Sequence, residues 1–376
     1  MNHILNDNTH GMKFAIIENE FGEVGVDDKV ISENVDEEVI EVMNGCICCT
    51  VRGDLVKALK SLYSKVEKFD GVIIETTGLA DPAPVVQTFF VDETVQTHYK
   101  LDSVITVVDA KYILERMAEE KPEGAENEAV EQVAFADKIL LNKVDLVDEE
   151  MKVKIKKEIK KINPAAPVVE TQYSKISPKE VLNIQAFELQ RVLEFDPEFL
   201  DDEQEHEHDQ TVTSVGVKVK GNCNLGMLER WIERLIGQDG ANLYRYKGVL
   251  AIKGMDDKFV FQGVGMMFSG NFEGKWTVPE EERECRFVFI GKNLDHDFLR
   301  NGFMACQASA KLRFAIGEEV MANIGQWVTG IVLKHWDEGN AYRIEIQDGK
   351  KTNVWAPVDV DAYIRPSGTK KAKTDS

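Results

Sequence analysis

The chain has 376 residues and a formal net charge of −21 at pH 7, a field that repels nucleic-acid phosphates and anionic lipid surfaces and suits metal cations. Its length exceeds one ordinary core, so two or three domains are expected, and 43% hydrophobic with 30% charged residues fits a globular protein. No apolar run approaches the ~20 residues of a membrane span, and Met1-Asn2-His3-Ile4-Leu5-Asn6 lacks the basic and apolar regions of a secretory signal.

In chain order, Lys13-Phe14-Ala15-Ile16-Ile17 is the first short apolar run. Asn44-Gly45-Cys46-Ile47-Cys48-Cys49-Thr50 then concentrates three of the six cysteines within four positions. Packing rarely calls for that. Soft-metal binding does, because thiolates are preferred ligands of zinc and copper(I). A compact buried turn is the alternative. A helical pattern follows over 54–62, and then the apolar run Gly71-Val72-Ile73-Ile74.

Glu75-Thr76-Thr77-Gly78 stands at the end of that run. A carboxylate there can hold Mg²⁺ through water, and the Gly78 amide can approach a γ-phosphate. Two more apolar runs cover 103–108 and 138–141. Near-continuous apolar runs suit parallel strands buried on both faces, and their alternation with helices argues a doubly wound α/β unit. Asn142-Lys143-Val144-Asp145 follows the last of them. At a strand end Asp145 can accept two hydrogen bonds from a guanine edge, while Asn142 and the Lys143 stem flank the base.

The stretch 201–209 is acidic with two histidines and reads as an exposed linker. From Thr211 the pattern predicts an α+β module with a mostly antiparallel sheet: strands near 215–219, 248–252, 259–261 and 286–290, and an amphipathic helix over 225–236. Cys223, Cys285 and Cys306 are scattered singly. They read as core residues of a protein from a reducing compartment. Beyond Lys311, frequent glycines with Trp327, Trp336, Tyr342, Trp355 and Tyr363 predict a small SH3-like β-barrel whose aromatics are buried. The tail from Ser367 is polar and basic.

Nowhere is there a Gly-x-x-x-x-Gly-Lys-[Ser/Thr] loop, which would cradle the β- and γ-phosphates. The strand that precedes such a loop is normally central in its sheet. Without it, an apolar-lined gap is expected.

Taken together, these residues resemble the CobW / zinc-regulated GTPase metalloprotein activator family of P-loop GTPases. The resemblance rests on Glu18-Asn19-Glu20-Phe21-Gly22-Glu23-Val24-Gly25-Val26-Asp27, Asn44 to Cys49, Glu75 to Pro82, Val107-Val108-Asp109-Ala110 and Asn142 to Asp145. In the second half it rests on Tyr244 to Gly248, Phe261-Gln262-Gly263-Val264 and Phe289 to Asp295, and it covers residues 1 to about 306.

The resemblance implies a P-loop GTPase-type α/β domain over 1–195 with its first strand and phosphate loop missing. A linker (196–210), a CobW-type α+β domain (211–306), the SH3-like barrel (307–366) and a disordered tail (367–376) follow. It implies a GTP-dependent metallochaperone that carries zinc, or cobalt, to client metalloproteins. Cys46, Cys48 and Cys49 would bind the metal, with Glu18 and Glu23 as further ligands. Glu75 would serve Mg²⁺, Gly78 the γ-phosphate, and Asn142, Lys143 and Asp145 the guanine. No catalytic residue is assignable, because the Lys and Ser/Thr of the phosphate loop are absent. Gly265 stands where many relatives carry His. The sequence opens in what reads as the helix after the missing loop, so a start upstream of Met1 is expected. A metal buffer or sensor without turnover, or an adaptor using the barrel, are the rival readings. The cytoplasm is the expected compartment, and any organelle-targeting peptide would lie upstream of Met1. Neither nucleic acid nor membrane is an expected partner.

Overall fold

The computed structural model describes residues 2–5, 7–18, 39–41, 50–64, 69–78, 80–122, 127–186, 212–309 and 311–367. The Cys46-Ile47-Cys48-Cys49 run, Glu23, the acidic linker and the tail after Ser367 lie outside them.

Strand β1 (Phe14–Glu18) pairs in parallel with β2 (Val39–Glu41) on one side and β3 (Gly71–Glu75) on the other. Its side chains alternate between two cores. Ala15 and Ile17 pack against Leu55, Ala58, Leu59 and Leu62 of helix α2 (Thr50–Tyr63), whose spacing puts them on one helical face. Phe14 and Ile16 pack on the other side with Leu5, Met12, Ile73 and Leu182. Burial on both faces is why this strand reads as an unbroken apolar run.

A second parallel ladder joins β4 (Ile105–Asp109), β5 (Lys138–Asn142) and β6 (Val168–Glu170), in the order β4-β5-β6. Helix α7 (Glu149–Ile162) covers it. Asp148 caps that helix by accepting from the Met151 amide, and Ile155, Ile159 and Ile162 form its buried stripe. Among the described residues the parallel strands thus fall into two three-stranded ladders, β2-β1-β3 and β4-β5-β6, rather than one continuous sheet. Here β3 and β4 are both outer strands. Val72, Ile73 and Ile74 are only half-buried, and Val107 in the middle of β4 is 58% exposed. Helix α3 (Ala83–Val91) bridges the ladders: Val86 belongs to the core under β4 and β5, while Val85 and Phe89 pack on the α2 side.

The second unit is a five-stranded antiparallel sheet ordered β10-β9-β8-β11-β7. Its strands are β7 (Val212–Lys220), β8 (Leu243–Ala251), β9 (Asp257–Val264), β10 (Met267–Lys275) and β11 (Glu284–Lys292). Helices α8 (Leu225–Asp239) and α9 (His296–Met304) cover one face, where Leu228, Trp231, Ile232 and Leu235 meet Phe287, Phe289 and Phe303. Strand β10 was not expected from the sequence. It is an edge strand whose Phe268 and Phe272 stay partly exposed, so it lacks a half-buried alternation. Gly248 is required opposite Phe261, because a Cβ there would stand 2.1 Å from that ring. Cys223, Cys285 and Cys306 are free thiols buried in this core, with the first two sulfurs 3.8 Å apart.

The third unit is an antiparallel sheet ordered β15-β14-β13-β12-β16, built from β12 (Glu319–Asn323), β13 (Trp327–Asp337), β14 (Asn340–Ile346), β15 (Asn353–Ala356) and β16 (Ile364–Pro366). The expected SH3-like barrel is not confirmed: among the described residues no sheet closes on itself, and β15 and β16 each pair on one side only. Tyr342 is fully buried beside Val332 and Ile344, but Trp355 is 39% exposed. The Trp355 indole donates to Asp337, and the Arg343 guanidinium lies over its ring, which holds it at the surface.

One charged cluster locks the second unit to the first. Asp137, just before β5, is buried and pairs with Arg245 and Lys247 of β8. Arg245 also donates to the Phe135 carbonyl and Lys247 to that of Ala186 (2.7 Å). Around them Tyr244 stacks on Phe135, and Val264, Val288 and Ile290 join the core of the first unit. Burial pushes the Asp137 carboxyl up, but Arg245 and Lys247 outweigh it and hold it below its ordinary 3.8. Burial and the Arg245 charge push Lys247 down to about 8.

Asp137→Ala is expected to destabilise the chain by about 3–5 kcal/mol, because it removes the buried carboxylate with which both Arg245 and Lys247 pair. Urea denaturation of the full chain measures this, and an unchanged midpoint would refute the lock. With a depressed folded pKa, the Asp137 contribution is present above pH 3.8 and lost as pH falls through its lower folded value. The difference in stability between parent and variant must therefore shrink in acid.

Candidate functional site

Parallel pairing sends the C-terminal ends of the strands to one edge of each ladder, which is where α/β sheets bind ligands. In the second ladder Asp109 ends β4 level with Asn142 at the end of β5. The Ala110 amide donates to the Asn142 carbonyl at 2.9 Å, which ties the two loops together.

Asn142 is buried, and its side chain is committed to the loop after β6. Its Nδ2 donates to Ser174 Oγ (2.9 Å), and its Oδ1 accepts from the Ser174 amide (2.9 Å) and Thr171 Oγ1 (3.2 Å). The Asn142 side chain thus ties its own turn to the neighbouring loop. Lys143 takes the left-handed backbone region at φ 61°. Its ammonium reaches Asp109 Oδ2 at 2.6 Å, which ties it back to the end of β4. Burial raises the Asp109 carboxyl, but the hydrogen bond and charge of Lys143 and the Lys111 amide prevail and hold it below its ordinary value. Asp145 lies in the short turn Val144–Leu146, is exposed, and has no side-chain partner among the described residues. Its two oxygens are thus open to a pair of donors.

In the first ladder Glu18 and Glu75 end β1 and β3 level with each other, and Glu41 ends β2 level with Glu18. Glu75 is exposed, and so is Gly78, with nothing within 4 Å of where a Cβ would stand. Between them the Thr77 hydroxyl is buried with no hydrogen-bond partner. An orphaned hydroxyl beside an exposed carboxylate and an open glycine fits a phosphate oxygen or a Mg²⁺-bound water. Gln132 holds the loop by donating to the carbonyls of Thr77 (3.5 Å) and Ala80 (3.0 Å).

The structure thus groups Asn142, Lys143 and Asp145 at one ladder's edge, and the ends of the Glu18 and Glu75 strands at the other's. Cys46, Cys48 and Cys49 lie outside the described residues, between the end of β2 and the start of α2 in the sequence, and Glu23 lies outside them between β1 and β2. Among the described residues, no three His, Cys, Asp or Glu side chains are placed to hold a metal, and no helix is long and apolar enough to cross a membrane. Sequence reasoning did not single out Asp109, Thr171, Ser174 or the Thr77 hydroxyl as working groups. The first three find their partners more than 25 positions away in sequence, so no local pattern reveals them.

Two family models match the chain: the CobW/HypB/UreG nucleotide-binding domain over residues 1–170 and the cobalamin synthesis protein CobW C-terminal domain over residues 212–307. The Escherichia coli protein named zinc chaperone YjiA is 35% identical over 310 residues, covering 81% of this chain and 92% of its own length. A Schizosaccharomyces pombe protein named zinc-regulated GTPase metalloprotein activator 1 is 35% identical over 187 residues, 48% of this chain and 44% of its own. The crystal structure of Zn(II)-bound YjiA GTPase superposes with a TM-score of 0.64 at 31% identity, over 81% of this chain and 93% of that one. With both domain models matched in order and a relative covered almost end to end, the chain belongs to the CobW family, a CobW/HypB/UreG nucleotide-binding domain followed by a CobW C-terminal domain.

Proposed function

We propose that this chain is a GTP-linked zinc chaperone that holds its cargo on Cys46, Cys48 and Cys49 and passes it to client metalloproteins. Glu18 and Glu23 are the candidate additional ligands. The observation that carries this reading is the register of β1 and β3. Glu18, a candidate zinc ligand, and Glu75, the candidate Mg²⁺ residue, end adjacent parallel strands at the same level, so their backbones are ~4.8 Å apart. The names of the relatives, zinc chaperone and zinc-regulated GTPase metalloprotein activator, support the same reading.

In this scheme Asp145 accepts two donors from the guanine edge and Asn142 fixes the adjoining loop. The Lys143 stem, its ammonium paired with Asp109, lies along the base. Gly78 and Thr77 face the phosphate side, and Glu75 holds Mg²⁺ through water. A bound nucleotide supplies a terminal phosphate whose presence or absence distinguishes two arrangements of the β1 and β3 ends. The cysteines must be thiolates to hold zinc, and zinc itself favours that form. The difference in zinc affinity between the two arrangements is the free energy available for delivery. None of these 376 residues is assigned the phosphate-cradling role. Cobalt is the alternative cargo, since thiolate sites accept several late transition metals. The units are taken as residues 1–195, 211–306 and 307–366, with 196–210 as the connection. The cytoplasm remains the proposed location, and a closed barrel in the third unit remains a proposal that a ladder between β15 and β16 would establish.

Cys48→Ser is expected to weaken zinc binding by more than the ~10- to 100-fold that losing an outer-shell partner costs. Competition with a chelating dye measures it, and equal affinities for variant and parent would remove the metal assignment. Asp145→Asn is expected to lower the preference for GTP over ATP by roughly 10- to 100-fold, because it converts one acceptor oxygen into a donor facing guanine donors. Calorimetric titration of both nucleotides decides this: an unchanged ratio sinks the base-recognition role.

A further inference from the structure

The loop after β6 keeps one side chain that the hydrogen bonds around Asn142 do not explain. Thr171 and Ser174 are bonded to the Asn142 side chain, and the Val144 amide donates to the Thr171 carbonyl at 3.5 Å. The loop is therefore fastened directly to the Asn142–Asp145 turn. Inside it, Tyr173 and Ser174 both take left-handed backbone conformations, at φ 54° and 52°. For a bulky residue such as Tyr173 this region is disfavoured, and it persists only where the surroundings enforce it. The fastening of Ser174 to Asn142 supplies that enforcement.

What the strained loop presents is an aromatic ring in water. Tyr173 is 78% exposed, more than any other large apolar side chain among the described residues. It makes no ring contact and no side-chain hydrogen bond there. A loop whose only task was to hold Asn142 would be better served by glycine or asparagine at this φ. A ring kept exposed at the rim of a base-binding turn instead has the shape to meet a purine face, since aromatic side chains stack on nucleobases irrespective of their edge groups.

We propose that Tyr173 is a nucleobase-stacking residue whose ring covers one face of the base whose edge Asp145 reads. This rests on the reading of Asn142–Asp145 as the base site. The two residues divide the work. Stacking acts on the π-face, so Tyr173 sets how tightly any purine is held. Asp145 acts on the edge, so it sets the choice of guanine over adenine.

The division gives a test. The full chain is titrated calorimetrically with GDP and ADP, as parent and as Tyr173→Asn, Tyr173→Phe and Asp145→Asn. Asparagine tolerates the left-handed backbone, so Tyr173→Asn removes the ring without disturbing the loop. The expected result is that Tyr173→Asn weakens both nucleotides by roughly tenfold or more with their ratio unchanged, while Tyr173→Phe binds like the parent. In ring-labelled protein, the Tyr173 resonances, identified by their absence in Tyr173→Phe, should move upfield when GDP is added. If Tyr173→Asn binds GDP as tightly as the parent while Asp145→Asn loses guanine preference, stacking is refuted and the base site stands. If the parent does not prefer GDP to ADP and Asp145→Asn changes nothing, the base-site reading fails and this inference falls with it.

Discussion

Parallel pairing is the constraint on which the rest of this molecule depends. In a parallel ladder every strand points the same way, so every loop leaving a C-terminal end emerges at one edge. In this chain the ends of β3, β4 and β5 lead into Glu75 to Gly78, Asp109, and Asn142 to Asp145. The strands can lie side by side because they are apolar on both faces. Ala15 and Ile17 feed one core and Phe14 and Ile16 another, which fixes β1 between β2 and β3.

The second ladder adds a different constraint. Its strand ends are cross-tied by side chains rather than by sheet hydrogen bonds alone. Lys143 reaches back to Asp109, and Asn142 reaches forward to Ser174 and Thr171. The other end of β5 begins beside Asp137, which anchors Arg245 and Lys247 from the second unit. One short strand therefore connects the interface between the units to the turn that carries Asp145. Five residues of buried strand transmit position faithfully because they have no room to repack.

Local pattern made much of this legible. Apolar runs at 14–17, 71–74 and 138–141 became β1, β3 and β5, and the amphipathic stretch from Leu225 became α8 with Leu228, Trp231, Ile232 and Leu235 buried as spaced. The third unit was less legible. Five aromatics suggested an SH3-like barrel, yet among the described residues β15 and β16 are not paired with each other, and Trp355 is held at the surface by Asp337 and Arg343. Aromatic content reports that something is covered, not whether a sheet closes on itself. Strand β10 escaped notice for a related reason: an edge strand need not alternate.

The sequence by itself determined the residue types, the Cys-x-Cys-Cys run among them, the place of Glu75, Gly78 and Asp145 at or just after strand ends, and the family they mark. These are short-range signals, set by neighbours within a few positions. Only the tertiary structure decided what those residues do to one another. Asn142 is a loop clamp because Ser174, 32 positions on, lies within hydrogen-bond reach. Lys143 pairs with Asp109 because Asp109 is level with Asn142 across the ladder. Glu18 stands beside Glu75 because β1 and β3 pair in that register and no other. Register and long-range hydrogen bonds arise from how whole strands pack, and a one-residue slip would turn every one of these side chains to the opposite face.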